Sequence, residues 1–220
     1  MERKINFSIN EYYHVYNRGN NKSLIFLDDF DYKRFIKLLF VCNGSKPVVF
    51  KTIQGVPLDK IERGETLVDI GSYCLMPNHF HLLLKEKQEN GISIFMEKLS
   101  TAYSMYFNKK YDRTGKLFEG RFRAEHLDSD EYLKYIFMYI HLNPVKIFDP
   151  TWKEQGINDL SKTKDYLYSY SNSSYLDFLE VPRREVLILN IKAFPEYFTS
   201  KQDFLKEIDE WLNHPRDALG

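Results

Sequence analysis

The sequence predicts an α+β fold in which one antiparallel sheet carries packed helices and is followed by a mainly helical C-terminal region. Three observations point there. Short stretches rich in aromatic and β-branched residues end at turn residues, longer stretches repeat apolar residues at helical spacing, and Asp or Ser stands just ahead of the helical patterns. Tyr12–Arg18 (YYHVYNR) reads as a first strand closed by Gly19-Asn20. Asp28 or Asp29 can cap a helix running to about Val41, with Phe30, Phe35, Leu38 and Leu39 as its inward face and Asn43-Gly44 as its stop. Residues 46–65 carry scattered Gly and Pro and form an excursion, expected as a hairpin arm. Residues 67–75 and 80–84 are two apolar strands joined through Met76-Pro77-Asn78. From about Ser93 to Lys110, the residues Ile94, Phe95, Leu99, Tyr103, Tyr106 and Phe107 mark a second helix, after which Thr114-Gly115 turns into a strand around 117–127. Asp128 or Ser129 caps a third helix through about Leu142, ended by Asn143-Pro144. The order β-α-β-β-α-β plus one helix describes a ferredoxin-like sheet with an added helix on its other face. The pattern then weakens: 161–174 is polar and tyrosine-rich, and 183–212 is expected to be helical. The division expected is a first unit at 1–148, with an insertion at about 46–65, and an accessory region at 149–220.

A chain of 220 residues buries one good core with room for a small appendage. Lys plus Arg and Asp plus Glu balance at 31 each, which argues against indiscriminate coating of nucleic acid but not against a local basic groove. Residues 98–123 hold seven basic side chains against two acidic ones, as a solvated helix end or a phosphate-contacting groove would. Cys42 and Cys74 make no disulfide framework and no zinc spacing. With no signal-peptide pattern and no apolar run near the roughly 20 residues of a membrane span, the expectation is a soluble, cytoplasmic protein with no membrane partner.

His79 and His81 stand two apart on a strand, so both imidazoles leave the same sheet face, while Phe80, Leu82 and Leu83 are expected to point the other way into a core. Such a pair is a structural feature of the sheet or a metal site. Imidazole suits several transition metals, and a third, oxygen ligand with open positions would suit Mg or Mn on a phosphate. A histidine-triad nucleotide hydrolase would need a third His where Leu83 stands. Tyr139 and Asn143 are four apart and share a helix face. Tyrosine can attack phosphorus when a metal polarises the phosphoryl oxygens, and an amide oxygen is a reasonable hard ligand. Tyr139 also continues an amphipathic stripe with Tyr132 and Tyr135, and spacing alone does not choose among the three. For phosphate contacts the candidates are Arg18, Lys109, Lys110, Arg113, Arg121 and Arg123, with nearby aromatics available to stack unpaired bases.

Four strings, YHVYNRG (13–19), YCLMPNHFHLLL (73–84), GKLFEGRFR (115–123) and YIHLNPVK (139–146), together resemble the REP-associated tyrosine transposases, which belong to the single-tyrosine HUH transposases of small bacterial insertion sequences. The match is colinear over roughly residues 12–148. The resemblance implies that His79-Phe80-His81 is the HUH metal motif, that Asn143 is the third ligand of a divalent metal (Mg or Mn), and that Tyr139 is the nucleophile. It also implies the ferredoxin-like fold and a mechanism: Tyr139 attacks a scissile phosphate in line, leaving a 5′-phosphotyrosine link and a free 3′-hydroxyl that can reverse the step. The implied partner is a short hairpin with a single-stranded flank, bound by a monomer or a homodimer. Departures are Asn172 where relatives often carry a Trp before Ser-Ser-Tyr, a long 46–65 excursion, and an uncovered tail at 183–220. The alternatives are a domesticated hairpin-binding protein without cleavage and a metal-dependent phosphoesterase without a covalent tyrosine.

Overall fold

Strand alternation organises the molecule. In this computed structural model, which describes residues 6–47 and 49–214, β1 (Tyr12–Arg18), β2 (Val68–Met76), β3 (His79–Glu86) and β4 (Arg123–His126) form one sheet of order β2-β3-β1-β4 with antiparallel neighbours. The ends of the two-part division, 1–5 and 215–220, lie outside the described residues. Helices α1 (Asp29–Cys42) and α2 (Gly91–Lys110) cover one face, packing Phe35, Leu39, Phe95, Leu99 and Tyr103 on Tyr13, Val15, Phe80, Leu82 and Leu84. Helix α3 (Asp130–Leu142) covers β2 and β3 on the other face. The order is the expected β-α-β-β-α-β with a helix added, and because both faces are covered every residue of β2 is buried. No helix among the described residues is long and apolar enough to cross a membrane, and both cysteines are free and buried.

Helix α1 is capped by Asp28, which accepts from Asp31 N (3.1 Å), and α3 by Ser129, which accepts from Tyr132 N (3.2 Å). Pro144 does not halt the chain. Asn143 and Pro144 keep right-handed helical backbone and lead into the single turn α4 (Val145–Phe148), where proline's missing N–H falls at a helix start and costs nothing.

Several expectations are corrected. Phe30 is 71% exposed, since 100° per residue sets it well away from the Phe35, Leu38 and Leu39 stripe. Asp31 occupies the inward position instead, fully buried and bonded by Tyr106, Lys110 and Tyr111. Among the described residues of 46–65 there is no hairpin. Two 3-10 turns, Phe50–Ile53 and Leu58–Lys60, bury Ile53 and Leu58 against the core, and Lys37 Nζ donates to the carbonyls of Ile53 and Val56. The last strand is only Arg123–His126, because Leu117 and Phe118 leave the ladder after one bridge to Gly19 and sink into the core under α2. Leu83 points with the histidines, into the α3 core, and not with Phe80 and Leu82.

Beyond α4 come α5 (Trp152–Gln155), α6 (Leu160–Ser169), α7 (Tyr175–Phe178) and α8 (Lys201–Asn213); between 183 and 200 the helical segments are short 3-10 turns. This tail closes the sheet edge. Leu75 N donates to Asn172 O (3.0 Å) and Ser174 N to Tyr73 O (2.9 Å), so residues 172–174 satisfy the outer side of β2. Arg183 holds the segment, reaching Asp177 (2.6 Å), Tyr73 Oη (2.8 Å) and the Ser171 carbonyl (2.9 Å). On the α3 side, Phe204, Ile208, Trp211 and Leu212 of α8 join the second core.

Arg183→Leu removes the counter-ion of Asp177, whose side chain has no exposed surface. The expected loss is about 3–5 kcal/mol in urea-induced unfolding, the usual cost of stranding a buried charge. A loss under about 1 kcal/mol would show that the tail is held mainly by its apolar contacts.

Candidate active site

The site is assembled from the sheet face under α3. On β1, Tyr12, His14 and Tyr16 alternate onto this face, and antiparallel pairing sets Tyr16 opposite His81 and Arg18 opposite His79 of β3. His14 Nε2 and His81 Nδ1 are 2.8 Å apart with the rings stacked at 5.1 Å, and His79 stands edge-on to His81 at 5.0 Å. Across the gap, α3 brings the Tyr139 ring edge-on to His81 at 5.4 Å and to His14 at 6.0 Å. Tyr135 packs at a tilt against Trp211 (5.2 Å) and the Tyr132 hydroxyl binds Glu125, so of the three stripe tyrosines it is Tyr139 whose ring meets His81. One turn on, Asn143 Nδ2 donates to the Tyr139 carbonyl (3.0 Å), a bond that leaves its amide oxygen unused. Tyr139, Asn143, His79 and His81 line one open cleft of about 700 Å³ together with Tyr16, Asn17, Arg18, Glu119, Arg121, Arg123 and Lys146.

Burial dominates the electrostatics. Desolvation, reinforced by Arg18 and Lys146, lowers His79 to about 4. His81 lies well below its ordinary value for the same first reason, with His14 and His79 adding to it. Both rings are therefore neutral near pH 7, the form in which imidazole donates a lone pair. Burial raises the Tyr139 hydroxyl, partly offset by the Asn143 side chain. Glu125 is held at about 2, first by His14, with the Tyr16 hydroxyl contributing.

The donor set fits a divalent ion. His81 Nε2 is buried without a hydrogen-bond partner, an arrangement costing about 1–3 kcal/mol unless something uses that lone pair. Among the described residues no cluster of three or more His, Cys, Asp or Glu side chains forms a metal site, so the protein's donors would be two imidazoles and the Asn143 amide oxygen. Such a set would leave coordination positions for phosphate oxygens and water.

The fold divides the candidate phosphate-contacting residues between two places. Arg18, Arg121 and Arg123 border the cleft, Arg18 being paired with Glu119 at 2.9 Å. Lys109, Lys110 and Arg113 lie at or just beyond the end of α2, outside the cleft lining; Lys110 is bound to Asp28 and Asp31 at 2.8 Å each, and Arg113 sits against the Phe107 ring at 5.4 Å. Sequence reading passed over His14, Tyr16, Glu119, Glu125 and Lys146. The alternation of His14 with Tyr16 in a strand was the available signal for the first two; the others depend on long-range pairing.

A sheet of this order with a tyrosine helix over a histidine pair defines a class, and comparison with known proteins agrees: the family described as "Transposase IS200 like" matches residues 12–143, and the chain belongs to it. Among solved structures the chain is similar in fold to a REP-associated tyrosine transposase bound to a REP hairpin, with 11% identity and a TM-score of 0.50 over 100% of this chain and 94% of that one. No curated protein matches.

In a ¹⁵N NMR titration the His79 ring should stay neutral through pH 5 and protonate near 4. The linked stability is complete above about 6.5, where unfolded imidazole is also neutral, and declines as pH falls from there toward 4, because only the unfolded chain takes up the proton. A midpoint between 6 and 7 would mean that the cleft floor is hydrated.

Proposed function

We propose that this protein nicks and rejoins single-stranded DNA beside a hairpin through a covalent bond to Tyr139. The observation that carries this reading is the convergence in one cleft of Tyr139, His79, His81 and Asn143, four residues drawn from two elements 60 positions apart in the chain. Family membership supports DNA processing, and the hairpin named for the fold relative supports the choice of substrate.

In the proposed reaction the Tyr139 oxygen forms a bond to the scissile phosphorus and the bond from phosphorus to the 3′-oxygen breaks. The tyrosine proton is lost and the departing 3′-oxygen gains one, leaving a 5′-phosphotyrosine and a 3′-hydroxyl. The linkage remains a phosphodiester, so attack by a second 3′-hydroxyl rejoins ends without an external energy source. His79, His81 and Asn143 would hold a divalent metal, which when bound withdraws charge from the phosphoryl oxygens and lowers the barrier to attack. The Asn143 contact counters the upward push of burial on the Tyr139 hydroxyl. Arg18, Arg121, Arg123 and Lys146 would bind flanking phosphates and set strand register without reading bases.

Incubation with Mn²⁺ or Mg²⁺ and a labelled hairpin bearing a single-stranded flank should yield a protein–DNA adduct on a denaturing gel. Tyr139→Phe should abolish it while hairpin affinity changes by only a few-fold. His79→Ala and His81→Ala should each abolish it too, and Asn143→Ala should be milder, since water can replace an amide oxygen. Binding without any adduct from the native protein would instead favour a hairpin-binding role, and full cleavage in excess EDTA would remove the metal.

Hairpin affinity should also fall with salt at a slope of roughly −3 in log–log form if the four cleft cations each neutralise a single-strand phosphate. Neutralising Arg121 and Arg123 together should flatten the slope by about one to two units, whereas neutralising Lys109 and Arg113 should not alter it. The reverse ranking would move the DNA path to the α2 end.

A further inference from the structure

Three side chains from three adjacent strands form a chain across the sheet face beneath α3: Glu125 of β4, His14 of β1 and His81 of β3. Glu125 and His14 are direct cross-strand partners, and His14 reaches diagonally to His81. The carboxylate is clamped by the Tyr16 hydroxyl on Oε1 (2.8 Å) and the Tyr132 hydroxyl on Oε2 (3.1 Å), so its direction is set from both β1 and α3. His14 Nδ1, buried and without a hydrogen-bond partner, lies 3.5 Å from Glu125 Oε2, while its Nε2 is 2.8 Å from His81 Nδ1.

The order of charges dictates the protons. A carboxylate accepts only, so the side of His14 that faces it is favoured as N–H. With one ring proton, and that on Nδ1, His14 offers its lone pair on Nε2, to which His81 donates from Nδ1. The remaining His81 nitrogen, Nε2, is left as a lone pair on a buried atom with no protein partner. The opposite assignment would point a lone pair of His14 at a carboxylate and bury an unpartnered N–H on His81.

We infer that Glu125 and His14 are positioning residues that select the tautomer of His81 and hold its Nε2 lone pair available to the cleft. The use of that lone pair, to ligate a divalent ion, rests on the function proposed above; the tautomer does not. Outer partners of this kind, a carboxylate behind a ligating imidazole, change metal affinity by about 10–100-fold when removed. Here the carboxylate acts through an intervening histidine, so the effect passes along two contacts.

The test uses the full chain at pH 7.5 without metal. Long-range ¹H–¹⁵N correlation spectra should show His81 protonated at Nδ1 and bare at Nε2. Glu125→Gln, whose amide can donate or accept, should give a mixed or reversed tautomer, and His14→Phe should lose the Nδ1–H preference. His14→Gln offers a carbonyl oxygen to His81 Nδ1 and should restore it. Mn²⁺ titration followed by water-proton relaxation should show affinity down by about 10–100-fold for Glu125→Gln and His14→Phe, and largely recovered for His14→Gln. A native His81 carrying its proton on Nε2, or an unchanged His81 tautomer in folded Glu125→Gln, overturns the relay. A native protein with the expected tautomer that binds no Mn²⁺ overturns the metal reading alone.

Discussion

The antiparallel pairing of β1 with β3 is the constraint from which the site follows. Its register sets Tyr16 opposite His81 and brings His14 within 2.8 Å of it, and a slip of one residue would turn every one of these side chains to the α1–α2 face. Register is protected from that slip because β1 and β3 also carry Tyr13, Val15, Phe80, Leu82 and Leu84 into the opposite core, where polar rings could not be hydrated. The apolar half of each strand therefore fixes the position of the polar half.

The second core gives that face its chemistry. Helix α3 spans β2 and β3 while α8 packs Phe204, Ile208 and Trp211 beside it, and the resulting exclusion of water keeps His79 and His81 neutral. The same burial opposes ionisation of Tyr139, so the environment that keeps the imidazoles neutral also favours the protonated Tyr139 hydroxyl. At the outer edge, residues 172–174 complete the hydrogen bonding of β2, and the His141 ring on α3 meets Ser174 Oγ at 2.8 Å. Asn172 is thus tied into the sheet through its backbone carbonyl.

Charge is arranged by the fold more than by composition. The basic run at 98–123 is parted between two faces: Lys110 neutralises the buried Asp31, while Arg121 and Arg123 border the cleft with Arg18 and Lys146 from elsewhere in the chain. Asp31 is itself buried because it, and not Phe30, falls on the inward stripe of α1. A local count of charges in sequence reported the excess but not its partition.

Local rules determined a good deal by themselves. Composition and turn residues predicted β1 and both apolar strands, and alternation the paired orientation of His79 and His81; candidate caps at 28–29 and 128–129 and helical spacing predicted α1, α2 and α3; four-residue spacing put Tyr139 and Asn143 on one face. These rest on contacts within a few residues, which a sequence displays directly. Tertiary structure decided the rest: the shortened β4, the 3-10 turns at 50–60, the contact of Tyr139 and not of Tyr132 or Tyr135 with His81, and the places of His14 and Glu125 beside His81. Each of these depends on which strands become neighbours and what a helix meets across the sheet. Those pairings join residues 60 or more positions apart, such as His14 with His81 and Glu125, and no local period encodes them.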